Sequence, residues 1–191
     1  SAFEGAVTAL IRPGMRILDV GCGTGALARR LRAQFGASID MTLVDACPQM
    51  LERTHDIDVA RTIGSIENLP VRDSAFDLVT CSWALETTPR IGRALAELLR
   101  ATKPGGHACI AFCADMRCNR VSEIVLKTAV KWRGTGRFLR LGDVEQALER
   151  LDVERVRRLR CGGPAAVLMI DKPGCLTPEI TNPSERSSAT A

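Results

Sequence analysis

The 191-residue sequence predicts an α/β domain built on a doubly wound, mainly parallel sheet. Three observations carry that expectation. An apolar run of Ile17, Leu18 and Val20 passes through alternate glycines, Gly21, Gly23 and Gly25, into Leu27, Leu31 and Phe35 at helical spacing. Short apolar runs and helical periodicities then alternate along most of the chain. Two strand-like segments flanking Gly162-Gly163-Pro164 read as a hairpin that closes the pattern.

Each element has its own signal. Phe3, Ala6, Val7, Leu10 and Ile11 recur at helical spacing, and Pro13-Gly14 stops that helix. The first strand is expected at 16–20 and its helix at 26–35, ended by Gly36. A second strand at 39–44 precedes a short helix opened by Pro48, and a third strand falls at 59–63. Residues 76–81 form the fourth strand. Ile91, Leu95, Leu98 and Leu99 mark a helix that ends before Pro104-Gly105-Gly106. The fifth strand is expected at 107–113. Val121, Ile124, Val125 and Ala129 trace the apolar face of an amphipathic helix over 119–132, a candidate lid with a flexible exit at Gly134-Thr135-Gly136. Asp143 and Gln146 look like a capping pair for a further helix carrying Val144, Ala147, Leu148 and Leu151. Strands at 153–160 and 165–170 complete a single domain over residues 1–172. Residues 173–191, rich in Pro, Ser and Thr, read as a flexible tail.

The chemistry concentrates in the glycine loop. A strand that turns into a helix through residues without side chains lets a ligand lie against bare backbone. Gly21, Gly23 and Ala26 satisfy the degenerate G-x-G-x-x-A dinucleotide pattern. Asp19 separates the ligands, because a carboxylate just before the loop repels a pyrophosphate and attracts an ammonium group. S-adenosylmethionine (SAM) carries an ammonium, a sulfonium and one carboxylate, and no phosphate. Asp19 therefore favours SAM, and the chain, which has no Tyr, offers no well-placed partner for hydride transfer to NAD.

The motif around Ile17–Ala26 resembles the first motif of the class I SAM-dependent methyltransferases, and the resemblance continues. Residues 44–51 (Val-Asp-Ala-Cys-Pro-Gln-Met-Leu) are similar to the family's second-strand end. Residues 64–70 (Gly-Ser-Ile-Glu-Asn-Leu-Pro) resemble its third-strand loop, 76–79 (Phe-Asp-Leu-Val) its fourth strand, and 99–106 (Leu-Arg-Ala-Thr-Lys-Pro-Gly-Gly) its turn into the fifth. The small-molecule branch containing quinone-biosynthesis methyltransferases is the nearest in pattern. The resemblance implies a Rossmann-like seven-stranded sheet of order 3-2-1-4-5-7-6 with strand 7 antiparallel. Arg155, Arg157, Arg158 and Arg160 would then lie on an edge strand, where charge blocks unwanted pairing.

Ligands of such sheets bind beyond the carboxyl ends of the strands, where the strand order reverses. Gly21, Cys22, Gly23 and Gly25 are expected along the methionine part of SAM, with Asp19 holding its ammonium directly or through water. Asp45 ends the second strand and can accept both ribose hydroxyls, or cap the helix near Pro48. Ala46 and Met50 would pack on adenine. The family's usual acidic residue in the third loop is replaced here by Ser65, and Ile66 backbone or Glu67 would share its task. Residues 81–86 after the fourth strand (Cys-Ser-Trp-Ala-Leu-Glu) would face both the methionine moiety and the substrate, with Ser82 on the cofactor.

Sulfonium is an excellent leaving group, so methyl transfer needs a base only for an acceptor protonated at working pH. Glu86 is the candidate, with Asp115 behind it. Neither His55 nor His107 falls near the crevice, so no nucleophile–histidine triad is supported.

Composition bounds the remainder. No apolar run reaches the ~18 residues of a membrane span. Without a basic-then-apolar leader, a cytoplasmic location is expected. Eight cysteines without a C-x-x-C pair, and two histidines, argue against a metal site. Cys22, Cys81 and Cys113 end strands at the crevice and read as small buried side chains rather than as reactive thiols. Residues 117–160 hold twelve Lys/Arg against six Asp/Glu, which is either a solvated face or a site for an acidic acceptor or RNA. No aromatic platform for RNA is present. The expected partner is a small-molecule acceptor, with an acidic one among the candidates; a homodimer is left open. The competing readings are a non-catalytic SAM-binding regulatory protein and an RNA methyltransferase.

Overall fold

A computed structural model describes residues 2–115, 137–162 and 165–174. The expected lid helix at 119–132 and nearly all of the expected tail lie outside the described residues. The elements run α1 (Ala2–Leu10), β1 (Arg16–Val20), α2 (Ala26–Phe35), β2 (Asp40–Asp45), α3 (Pro48–Glu52), β3 (Ala60–Ile63), β4 (Phe76–Ser82), α4 (Ile91–Ala101), β5 (Thr102–Cys113), α5 (Leu141–Glu149), β6 (Arg155–Gly162) and β7 (Ala165–Asp171). The sheet has the order β3-β2-β1-β4-β5-β7-β6. β7 is antiparallel to both of its neighbours, and the remaining pairs are parallel. The Rossmann-like order implied by the sequence motifs is the order found.

Strand alternation divides the core into two layers. Leu18, Val20, Val79, Cys81, Ile110 and Phe112 face α4 and α5, packing on Leu95, Leu98, Val144 and Leu148. Ile17, Leu78, Cys109, Ala111 and Met169 face the other side, against Val7, Ala28, Leu31 and Leu51. Both faces of the central strands are therefore buried, which is why β1 and β4 read as near-continuous apolar runs. Leu31 is fully buried beneath α2, and a Leu-to-Ala change at such a site costs about 2–5 kcal/mol. No helix among the described residues is long and apolar enough to cross a membrane.

Two elements differ most from the sequence reading, and β6 also runs Arg155–Gly162 against the expected 153–160, so that Gly162 belongs to the strand. β5 begins at Thr102, five residues early, and takes in Pro104-Gly105-Gly106. Thr102 pairs with Phe76, the register shifts before His107 meets Leu78, and Gly105 (φ 72°) donates to Lys172 O and Pro173 O. A strand entry this irregular looks like a loop in sequence. The capping pair Asp143/Gln146 is not found: α5 starts at Leu141 behind Arg140, which makes no side-chain cap. Asp143 donates its own N–H to Arg140 O and lies within the first turn, where its charge suits the helix dipole. β6 is the sheet edge, with Arg158 on Glu145 and Arg157 on Asp171.

Candidate active site

The strand order reverses between β1 and β4, and a cleft of about 650 Å³ opens there at the carboxyl ends of the strands. One side is made of Gly21, Gly23, Asp45, Ala46, Cys47 and Met50, and the base of Gly64, Ser65, Ile66 and Glu67. Trp83, Ala84, Thr87, Thr88, Pro89 and Arg90 make the opposite wall.

The glycine loop is fastened to β2 by backbone. Gly21 and Cys22 donate to Val44 O at 2.8 and 3.2 Å. Asp45 then bridges two segments, accepting from Gly23 N through Oδ2 at 2.8 Å and from Cys47 N through Oδ1 at 2.9 Å. Asp45 is thus not the N-cap of α3; that position belongs to Cys47, two residues on. Gly21 has φ 65°, and a Cβ there would collide with the Cβ of Ala84. Gly25 (φ 78°) is turned away from the cleft, since its Cβ would meet Ile57 Cδ1 at 2.8 Å and Thr54 Cγ2 at 2.9 Å.

Two guanidinium groups brace this packing from behind. Arg29 donates to Thr24 O, to Arg53 O at 2.6 Å and to both oxygens of Asp56. Arg61 donates to the hydroxyl and carbonyl of Thr54 and to Ile57 O and Val59 O. The non-helical segment between α3 and β3 is thereby pinned to the glycine loop.

Asp19 lies beneath the loop, 2% exposed, and accepts from Thr80 Oγ1 at 2.9 Å. Burial pushes its carboxyl up to about 7; the Thr80 hydrogen bond opposes that rise and the negative charge of Asp45 adds to it. At the base of the cleft, Ser65 Oγ accepts from Glu67 N at 3.2 Å. Glu67 is held by the Thr88 hydroxyl and by Arg90 at 2.7 Å, and these partners, Thr88 first, keep its carboxyl below the usual range.

Glu86 follows β4 in a short 3₁₀ turn and is 4% exposed. Its Oε1 accepts from Cys113 N at 3.3 Å, while Oε2 is buried with no hydrogen-bond partner among the described residues. Burial, with the charge of Glu86 adding, pushes the Cys113 thiol up to about 12, and burial also raises Cys81 and Cys22. These thiols stay protonated at neutral pH. Asp115 is exposed and donates its backbone N–H to Leu139 O at 2.7 Å.

Of the residues singled out from sequence, the cleft gathers Gly21, Gly23, Asp45, Ala46, Met50, Ser65, Ile66 and Glu67. Asp19, Cys22, Gly25, Ser82, Glu86 and Asp115 do not line it. Sequence reasoning placed Trp83 in the 81–86 stretch facing the site, and the cleft includes it, but did not single out Thr88 or Arg90. Trp83 carries φ 59°, rare for a bulky side chain, and its indole is 53% exposed in the cleft. No pattern in sequence announces a left-handed tryptophan. The pair Thr87-Thr88 before Pro89 was a legible turn signal.

Comparison with known proteins agrees with this architecture. Residues 18–110 match the family model described as "Methyltransferase domain". The malonyl-[acyl-carrier protein] O-methyltransferase of Pectobacterium atrosepticum is 36% identical over 112 residues, covering 58% of this chain and 43% of that protein. The ubiquinone/menaquinone biosynthesis C-methyltransferase UbiE of Laribacter hongkongensis is 37% identical over 109 residues, 54% of this chain and 45% of its own length. The chain thus spans under half the length of these curated relatives. Among solved structures, a SAM-dependent methyltransferase and possible histamine N-methyltransferase from Thermotoga maritima superposes with a TM-score of 0.70 at 21% identity, over 90% of this chain and 88% of that one. Over residues 18–110 the chain thus matches the methyltransferase-domain family, and its strand order and motif sequence resemble those of class I SAM-dependent methyltransferases of the quinone-biosynthesis branch.

Proposed function

We propose that the chain transfers the methyl group of SAM to a small-molecule acceptor by in-line displacement. The observation that carries this reading is the cleft at the β1/β4 reversal, with bare backbone at Gly21 and Gly23 and the Asp45 carboxylate beside it. The methionine part of SAM lies along the glycines and adenine against Ala46, Met50 and the 64–67 turn. Asp45 receives the ribose hydroxyls on lone pairs that its two backbone donors leave free. Asp19 acts from under the loop, through water or the loop backbone, to favour the ammonium, whose positive charge in turn favours the ionised carboxylate over the protonated form that burial promotes.

The protein's main task is alignment of nucleophile, methyl carbon and sulfur with water excluded. The acceptor attacks the methyl carbon, the carbon–sulfur bond breaks, and sulfur leaves with the electron pair as a neutral thioether. Where the acceptor carries a proton, Glu86 Oε2 is the acceptor for it, because it is a buried carboxylate oxygen with no hydrogen-bond partner among the described residues. Asp115 is the second candidate. Arg90, its side chain 72% exposed, and Arg137, which donates to Thr88 O, lie at the Thr88 end of the cleft and support an acidic acceptor.

Calorimetry with SAM, S-adenosylhomocysteine (SAH) and NAD tests the reading. SAM and SAH should bind and NAD should not; NAD binding tighter than SAH would overturn it.

A further inference from the structure

Trp83 is the strained residue of the cleft. Its φ of 59° puts a bulky side chain where L-residues are disfavoured, and such conformations persist where neighbours impose them and gather at functional sites. Here the neighbours are explicit. Trp83 donates its N–H to Ala111 O at 2.8 Å, and the next residue, Ala84, is seated directly over Gly21. The effect is to hold the indole 53% exposed inside the cleft rather than in the core.

The charges around it narrow what the indole faces. The carboxylates lining the cleft are Asp45, held by Gly23 and Cys47 N–H, and Glu67, held by Thr88 and Arg90. Both belong to the ribose and adenine side. At the Gly21 end, the electron-rich surface among the described lining residues is the face of Trp83. An indole face attracts a cation.

We infer that Trp83 reads the positive charge of the sulfonium, so that it favours SAM over SAH. This rests on the SAM-binding reading above. Before transfer the sulfur is cationic and the indole attracts it. As the methyl carbon bonds to the acceptor, the sulfur takes the electron pair of the broken bond and becomes neutral. The attraction ends with the reaction, and the product thioether is released more readily than the substrate sulfonium. Trp83 therefore sets the balance between substrate binding and product inhibition rather than the chemical step.

The experiment compares SAM and SAH affinities, by calorimetry, in wild type and in Trp83→Leu, Trp83→Phe and Trp83→Gly. Trp83→Leu should weaken SAM by about threefold to tenfold and SAH by less than about twofold, the scale of a partly desolvated cation–π contact. Trp83→Phe should recover part of the preference. Trp83→Gly should lose the preference while its melting temperature rises, because glycine relieves the left-handed backbone; that result separates lost recognition from lost folding. Equal weakening of SAM and SAH in the leucine variant, or no change in their ratio, would overturn the inference while leaving SAM binding intact. Failure of the wild type to bind either ligand would overturn both readings.

Discussion

The two walls of the cleft are built by different means. The wall at 21–25 and 45–50 is made by backbone: glycines at positive φ, amide groups bonded to Val44 O and Asp45, and arginines fastening the whole from behind. The wall at 83–90 is made by side chains: a strained tryptophan and the Glu67–Thr88–Arg90 contact, with Glu86 buried behind it. A backbone wall suits a ligand that does not vary, because a side chain added at Gly21 collides with Ala84. A side-chain wall can change its chemistry without disturbing the sheet. On the proposed function, cofactor recognition and acceptor selection draw on different physical resources within one cleft.

The largest expected effect lies at Glu86, buried behind the side-chain wall. Glu86→Gln keeps shape and burial but removes the proton acceptor. Turnover should fall by about 10²- to 10⁴-fold, with SAH affinity within about threefold. Equal loss of both in calorimetry and single-turnover assays would mean that the two walls are one structural unit.

Asp19 sharpens the comparison through pH. Its folded-state carboxyl is raised to about 7, above the ordinary 3.8, chiefly by burial. The native state therefore holds a proton that the unfolded chain releases between those values, and this contribution to stability is lost as pH rises from about 4 to 7. Its upper bound is about 4 kcal/mol. Denaturant titrations at pH 5 and pH 8 should show that Asp19→Asn flattens this part of the profile. An unchanged slope would place the linkage elsewhere.

The smallest of these effects separates two glycines on the same wall. Gly21→Ala meets Ala84 and the left-handed strain together, and should cost about 2–4 kcal/mol of stability. Gly23→Ala, with open space around its Cβ, should cost only about 1–2 kcal/mol. Thermal melts of both variants, with and without SAH, measure the difference. If the two cost the same, contact with Ala84 is not what demands glycine at position 21.

The backbone wall was legible in sequence because its requirements leave marks. Alternate glycines after an apolar run, and a carboxylate at each of two strand ends, can be read letter by letter. Gly25 shows the limit of that reading. Three alternate glycines suggest one ligand-facing surface, yet the third turns inward to let Thr54 and Ile57 approach. Trp83 shows a different limit, since its φ is imposed by Ala111 and Gly21, which lie far from it in the chain. The early start of β5 was hidden by Pro104 and two glycines, residues that signal a turn unless a neighbouring strand captures them.

The brace formed by Arg29 and Arg61 has a consequence for how the domain breathes. Residues 53–57 belong to no helix or strand, yet two guanidinium groups hold the carbonyls of Arg53, Thr54 and Ile57, and the side chains of Thr54 and Ile57 pack at Gly25. Amide hydrogens around this segment should exchange with solvent on the schedule of α2 and β2 rather than of a surface loop. The glycine loop fastened to it is then already ordered before any ligand arrives. Little conformational entropy remains to be lost on association, so the calorimetric signature of ligand capture should be that of a preformed surface and not of coupled folding.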